Sequence, residues 1–108
     1  MTITHAVPLP RAGGASAPTT IQVSGEIDIF TSKELRQGLV AALTTCTSTL
    51  IIDLSGVSFC DATGLGILVG IQHRARAQGI TLALAGPRPF MLNLLRVSGL
   101  DRSLPIVL

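Results

Sequence analysis

The spacing of apolar residues along this chain changes from segment to segment. Some segments show the two-residue period typical of strands, and others show the period of about 3.6 residues typical of helices. Strand-like runs cover residues 3–7, 19–26, 48–54, 80–85 and 105–108. Apolar residues at helical spacing predict helices over about 31–44, 62–78 and 89–97. This alternation predicts an α/β fold, with a mixed, largely parallel sheet of four or five strands and about three helices packed on it.

The 108 residues suit a single domain, so we treat residues 1–108 as one unit. Within it, residues 1–18 are predicted to form an edge strand and then a flexible surface loop, because prolines end the first run and residues 11–18 are small and glycine-rich. No secretory signal pattern precedes Arg11, so we expect a cytoplasmic location.

Local signals refine the predicted elements. Thr31 or Ser32 suits the N-cap of the first helix, and Asp61 suits that of the second. Gly25 marks the end of a strand or a bulge within it. Residues 55–61 are interpreted as a loop that connects a buried strand to the second helix.

Charge and composition exclude two classes of partner. The net charge is only +2, the eight basic residues are scattered, and the chain has no Trp or Tyr to stack on bases, so we expect no nucleic-acid binding. No apolar run reaches the ~18–20 residues that a membrane span requires, so we expect no membrane insertion.

The chain offers few residues for catalysis. Neither His5 nor His73 stands near a nucleophile motif, and no phosphate-binding loop or metal-type cluster occurs. Asp28 and Asp61 fit a turn and a helix cap better than an acid–base pair. We therefore expect a non-enzyme with no catalytic, cofactor-binding or metal-binding residues.

The two cysteines, Cys46 and Cys60, lie among apolar residues without metal-type spacing. They are interpreted as buried small side chains in a reducing compartment, and a redox role stays open.

The most informative stretch is residues 51–66, in which a buried strand leads to Asp61 and a helix begins at once. Gly64 and Gly66 cost a helix about 1 kcal/mol each relative to Ala, so either the helix packs close to a strand or a partner approaches its backbone. A phosphate on the Thr63 hydroxyl would lie near the positive end of the helix dipole and would add about −1.5 to −2 charge to the surface. This arrangement is suited to a docking switch.

Four segments resemble the STAS domain family, and more narrowly its bacterial anti-sigma factor antagonists, or anti-anti-sigma factors. They are residues 25–39 (GEIDIFTSKELRQGL), 50–69 (LIIDLSGVSFCDATGLGILV), 82–101 (LALAGPRPFMLNLLRVSGLD) and the closing LPIVL. The resemblance extends from about Ile21 to the C-terminus. Many members carry one more helix at the end, so we expect that final helix to be missing here.

The resemblance implies regulation of transcription by partner switching. Such an antagonist binds an anti-sigma factor, usually a serine/threonine kinase of the GHKL type, and so releases a sigma factor. The kinase then phosphorylates a D-[ST]-[ST]-G stretch and the complex separates. Carried over to this chain, the implied partner-binding residues are Asp28, Ile29, Phe30, Thr31, Asp61, Ala62, Thr63, Gly64 and Leu65.

This sequence departs from the family at the phosphoacceptor. The usual acceptor follows the Asp directly, and here that residue is Ala62, which leaves Thr63 as the candidate. Either Thr63 receives the phosphate or the protein binds constitutively; the second is favoured because one helical step turns a side chain by ~100°. A stand-alone STAS module that binds a nucleotide or lipid, or regulates a transporter, remains the alternative.

Two apolar features have two interpretations each. Helix 89–97 is apolar almost all round, so it is either deeply buried or exposes a patch at Phe90, Met91 and Leu92 for a partner or a second copy in a homodimer. Phe30 is either a hydrophobic staple before the first helix or an anchor for a partner.

Overall fold

The computed structural model describes residues 1–6 and 18–107. Val7 and nearly all of the loop predicted over residues 11–18 lie outside the described residues. The strands are β1 (Thr2–Ala6), β2 (Thr19–Ile27), β3 (Thr49–Cys60), β4 (Thr81–Ala85) and β5 (Ile106–Val107). The helices are α1 (Ser32–Thr45), α2 (Ala62–Ala77) and α3 (Pro89–Val97), followed by a 3₁₀ turn at Leu100–Arg102.

The strands form one sheet in the order of the chain, β1-β2-β3-β4-β5. β1 is antiparallel to β2, and the remaining neighbours are parallel. The predicted mixed, largely parallel sheet with three helices is therefore confirmed. Each helix connects two neighbouring parallel strands in the same direction along the sheet, and right-handed connections of this kind place all the helices on one face.

A single hydrophobic core lies between the sheet and the helices. Leu35, Leu39 and Leu43 recur along one side of α1 and are buried, whereas alternate positions of β2 such as Gln22 are exposed on the outer face of the sheet. Each fully buried Leu or Ile stabilises the fold by roughly 1.5–3 kcal/mol relative to an exposed side chain.

Helix α3 is amphipathic, so neither of its two interpretations, deep burial or an exposed patch at Phe90, Met91 and Leu92, holds in full. Met91 and Leu95, one turn apart, are fully buried in the core. Phe90 is 37% exposed and Leu92 is half-buried. A patch that includes Met91 is thus wrong, because the helix needs only one apolar side to pack on the sheet.

The loop predicted over residues 55–61 is also wrong, because β3 continues to Cys60. The second half of β3 pairs with the end of β2, and the ladder accommodates two register shifts, one of them between Gly25 and Glu26. β2 continues to Ile27, so Gly25 does not end the strand, and its φ of 92° beside the register shift fits the other interpretation, a bulge. The extension brings β2 and β3 to the same edge, with Ile27 opposite Cys60.

Gly64 allows α2 to begin directly against this pair of strands. A Cβ atom at Gly64 would lie 2.6 Å from both Cys60 Sγ and Ile27 Cγ2, closer than real Cβ contacts allow. At Gly70 in the same helix, a Cβ atom would meet no atom of the described residues within 4 Å. Close packing therefore explains Gly64, but not Gly70.

We predict that Gly64→Ala destabilises the domain by about 1–3 kcal/mol, because the added methyl group overpacks the contact between helix and strands. The matched control Gly70→Ala should stabilise it by about 0.5–1 kcal/mol, since Ala is the better helix former and has space. Urea unfolding monitored by circular dichroism measures both changes. Equal stability of Gly64→Ala and the parent chain would contradict the close packing.

Candidate functional site

Two turns lie side by side where β2 and β3 end, and we call residues 28–31 and 61–65 together the docking corner. Ile27 and Cys60 are partners in the parallel ladder, so the residues that follow them leave the sheet at the same edge. The backbone N–H of Asp61 donates to the carbonyl oxygen of Ile27 at 3.2 Å and joins the two turns directly. The residue patterns do not predict that these two turns are neighbours; only the family resemblance implies that they share a surface.

The first turn is closed by reciprocal bonds between Asp28 and Thr31. Asp28 Oδ1 accepts from the backbone N–H groups of Phe30 at 2.9 Å and Thr31 at 3.1 Å. Thr31 Oγ1 accepts from the Asp28 N–H at 2.9 Å and donates to the Glu26 carbonyl oxygen at 2.9 Å. Asp28 and Thr31 therefore hold the turn in shape. Thr31 is the N-cap residue of α1 by position, although its hydroxyl makes no capping bond.

This closed turn presents two apolar side chains to solvent. Ile29 is 69% exposed and Phe30 is 90% exposed. The staple interpretation of Phe30 is wrong, because a staple residue packs against the first turns of its helix. The other interpretation of Phe30, an anchor for a partner, is compatible with this exposure and stays a prediction.

The second turn is the N-terminus of α2, capped as the sequence predicted. Asp61 Oδ1 accepts from the backbone N–H groups of Thr63 at 3.0 Å and Gly64 at 3.3 Å. This satisfies two of the donors that a helix leaves free at its start. The Asp61 carboxylate thus fixes where the helix begins relative to the first turn.

Four of the predicted binding residues in this turn are at least partly accessible. Ala62 and Thr63 are exposed, and Asp61 and Leu65 are half-buried. Gly64 is buried against Ile27, so its place among the partner-contacting residues is wrong and its function is packing. A charged side chain at residue 64 would destabilise the fold, so a loss of binding would not show that residue 64 contacts a partner.

Cys60 lies beneath the docking corner and is a packing residue. Burial, together with the adjacent negative charge of Asp61, raises the pKa of the Cys60 thiol to about 11. The thiol therefore stays protonated near neutral pH and is a poor nucleophile. Its protonated form stabilises the fold below pH 9.0, the ordinary pKa, and this contribution is lost as the pH rises through about 11.

Sequence reasoning missed three exposed side chains, one at the corner and two in a groove that leads from it. Phe59 is 48% exposed and pairs in register with Glu26, one position before the ends of both strands. Strand alternation alone would place Phe59 on the same face as the buried Val57, so no sequence pattern reveals its exposure. The register shift between the two residues turns Phe59 outward. Arg36 and Arg74 line a common groove between α1 and α2, and no sequence signal brings them together.

Residues 1–6 and 18–107 contain no group of three His, Cys, Asp or Glu side chains arranged to hold a metal ion. No helix within those ranges is both long and apolar enough to cross a membrane.

Comparison with known proteins identifies the family. The sequence profile described as "Mlab, STAS domain" matches residues 11–108. The chain belongs to the STAS domain family. The two turns at the ends of β2 and β3 are the two segments that the family resemblance singled out.

Relatives of this STAS domain include named regulators of sigma factors. An anti-sigma-B factor antagonist of Bacillus subtilis is 35% identical over 80 residues, which cover 74% of this chain and 72% of the relative. A proposed anti-anti-sigma factor of Mycobacterium tuberculosis is 31% identical over 104 residues, which cover 94% of this chain and 70% of the relative.

The fold of this STAS domain is also that of a solved antagonist. The unphosphorylated form of the anti-sigma factor antagonist SpoIIAA aligns with a TM-score of 0.74 and 20% identity, over 99% of this chain and 89% of the other. At this identity the likeness concerns the fold alone.

Proposed function

We propose that this STAS domain is an anti-sigma factor antagonist, which binds an anti-sigma factor and so releases a sigma factor for transcription. The observation that carries the proposal is Phe30, 90% exposed on a turn that Asp28 and Thr31 hold closed beside the N-terminus of α2. The antagonist relatives support the same function. The partner implied by the family is a serine/threonine kinase of the GHKL type.

The closed turn favours binding in two ways. Four hydrogen bonds fix residues 28–31 before any partner arrives, so little conformational entropy remains to be lost there on association. Covering Ile29 and Phe30 removes apolar surface from water, which is the main favourable term in most protein association. An exposed aromatic side chain on a closed turn, next to a polar helix end, is typical of a protein-binding surface.

We predict that Phe30→Ala weakens binding to the anti-sigma factor by about 2 kcal/mol, or roughly 30-fold, because the anchor is lost while the turn keeps its hydrogen bonds. Isothermal titration against purified candidate GHKL-type kinases from the source organism measures this change. Val97→Ala is the control, since Val97 is 80% exposed on α3, outside the docking corner. Equal binding by Phe30→Ala and the parent chain, or equal loss in both variants, would refute the docking corner.

The proposal includes constitutive antagonism, without a phosphorylation switch at the family position. Ala62 is exposed but has no hydroxyl. Thr63 is exposed as well, and it lines the groove between α1 and α2 together with Arg36. A kinase that aligns a hydroxyl at residue 62 for in-line transfer would find the Thr63 hydroxyl rotated by ~100° around the helix axis.

We expect incubation with the binding kinase and ATP to leave the parent chain unlabelled, as judged by mass spectrometry of its peptides. Ala62→Ser should become phosphorylated at residue 62, because it restores a hydroxyl at the family position. Combining Ala62→Ser with Thr63→Ala should preserve that label and serves as the control for site assignment. Phosphate on Thr63 of the parent chain would contradict constitutive antagonism.

A further inference from the structure

A basic groove runs between α1 and α2 and begins at the docking corner. Its first part, about 240 Å³, is lined by Thr63, Gly66 and Gly70 of α2, with Arg36 and Arg74 at its sides. A second part, about 470 Å³, shares both arginines and adds Lys33. Because the two parts share residues, we treat them as one surface and call it the basic groove.

The groove carries positive charge with no carboxylate among its lining residues. Lys33 and Arg36 lie one turn apart on α1, and Arg74 faces them from the last turn of α2. Residues 7–17, which the structure does not describe, contain no Asp or Glu either. The cations are therefore available to a partner of opposite charge.

Glycine keeps the groove open. Gly66 and Gly70 lie one turn apart, both are exposed, and a Cβ atom at either would meet no described atom within 4 Å. Packing therefore does not require these glycines, although each costs the helix about 1 kcal/mol relative to Ala. Their effect is to expose the backbone of α2 along the floor of the groove.

We propose that the basic groove extends the docking corner and receives an acidic segment of the anti-sigma factor. The inference rests on the proposed function, because Thr63 belongs to both surfaces and Lys33 follows Thr31 by two residues. A partner that covers Phe30 and the start of α2 is thereby brought to the groove. Three separate cations from two helices share this groove, which suits a peptide segment with several carboxylates better than one small anion.

Charge reversal tests the inference with the anti-sigma factor that binds the parent chain. Arg36→Glu and Arg74→Glu should each weaken binding by about tenfold or more, and the loss should shrink as salt rises. Arg96→Glu, a charge reversal at another exposed arginine, on α3, should change affinity by less than about twofold. Circular dichroism checks that all three variants are folded.

A steric variant tests the groove without changing charge. Gly70→Leu should weaken binding by about tenfold, because its side chain occupies the groove, yet it should leave the fold at least as stable, since Leu is a better helix former. If the parent chain binds the anti-sigma factor and Arg36→Glu, Arg74→Glu and Gly70→Leu bind equally well, the inference fails alone. If the parent chain binds none of the candidate kinases, both the inference and the proposed function fail.

Inorganic phosphate separates an acidic segment from a small anion. We expect phosphate to raise the Tm of the parent chain and of Arg36→Glu equally. A saturable rise in Tm for the parent chain that is absent in Arg36→Glu would show a small-anion site and overturn the proposal.

Discussion

The parallel pairing of β2 with β3, carried as far as Ile27 and Cys60, is the constraint on which the proposed site depends. Because parallel strands run in the same direction, the chain leaves both at one edge, and the bond from Asp61 N–H to the Ile27 carbonyl joins the two exits. Without that pairing, the turn that carries Phe30 and the start of α2 would have no fixed relation. The docking corner is thus a consequence of sheet register.

Packing and polar bonds then complete the corner from below and from within. Gly64 brings α2 against Ile27 and Cys60, while the high pKa of the Cys60 thiol keeps this layer uncharged near neutral pH. Above it, Asp28 and Asp61 use their carboxylates on backbone N–H groups of their own turns. The acidic residues therefore shape the surface, and the exposed apolar side chains remain to make contact.

The sequence predicted this fold well because its signals are local. Helical spacing and the Asp61 cap located α2 to within a residue at either end, and the βαβ alternation implied the parallel sheet. The end of β3 was missed because its pairing depends on the neighbouring strand, which no local pattern reports. An apolar residue before a helix fits a staple as well as an anchor, so only the exposure of Phe30 in the structure excludes the staple. Arg36 and Arg74 line one groove only because α1 and α2 pack side by side. The burial of Met91 likewise depends on tertiary packing.

The central claim is that a protein partner binds at the docking corner. Its most direct test is an NMR titration of the ¹⁵N-labelled chain with the purified anti-sigma factor, followed through each backbone amide. The account predicts that the largest shifts and losses of intensity occur at residues 28–31 and 61–66, while the outer face of the sheet around Gln22 and the far end of α3 at Val97 stay unchanged. Perturbations centred on the sheet face or on α3, with residues 28–31 unaffected, would contradict it.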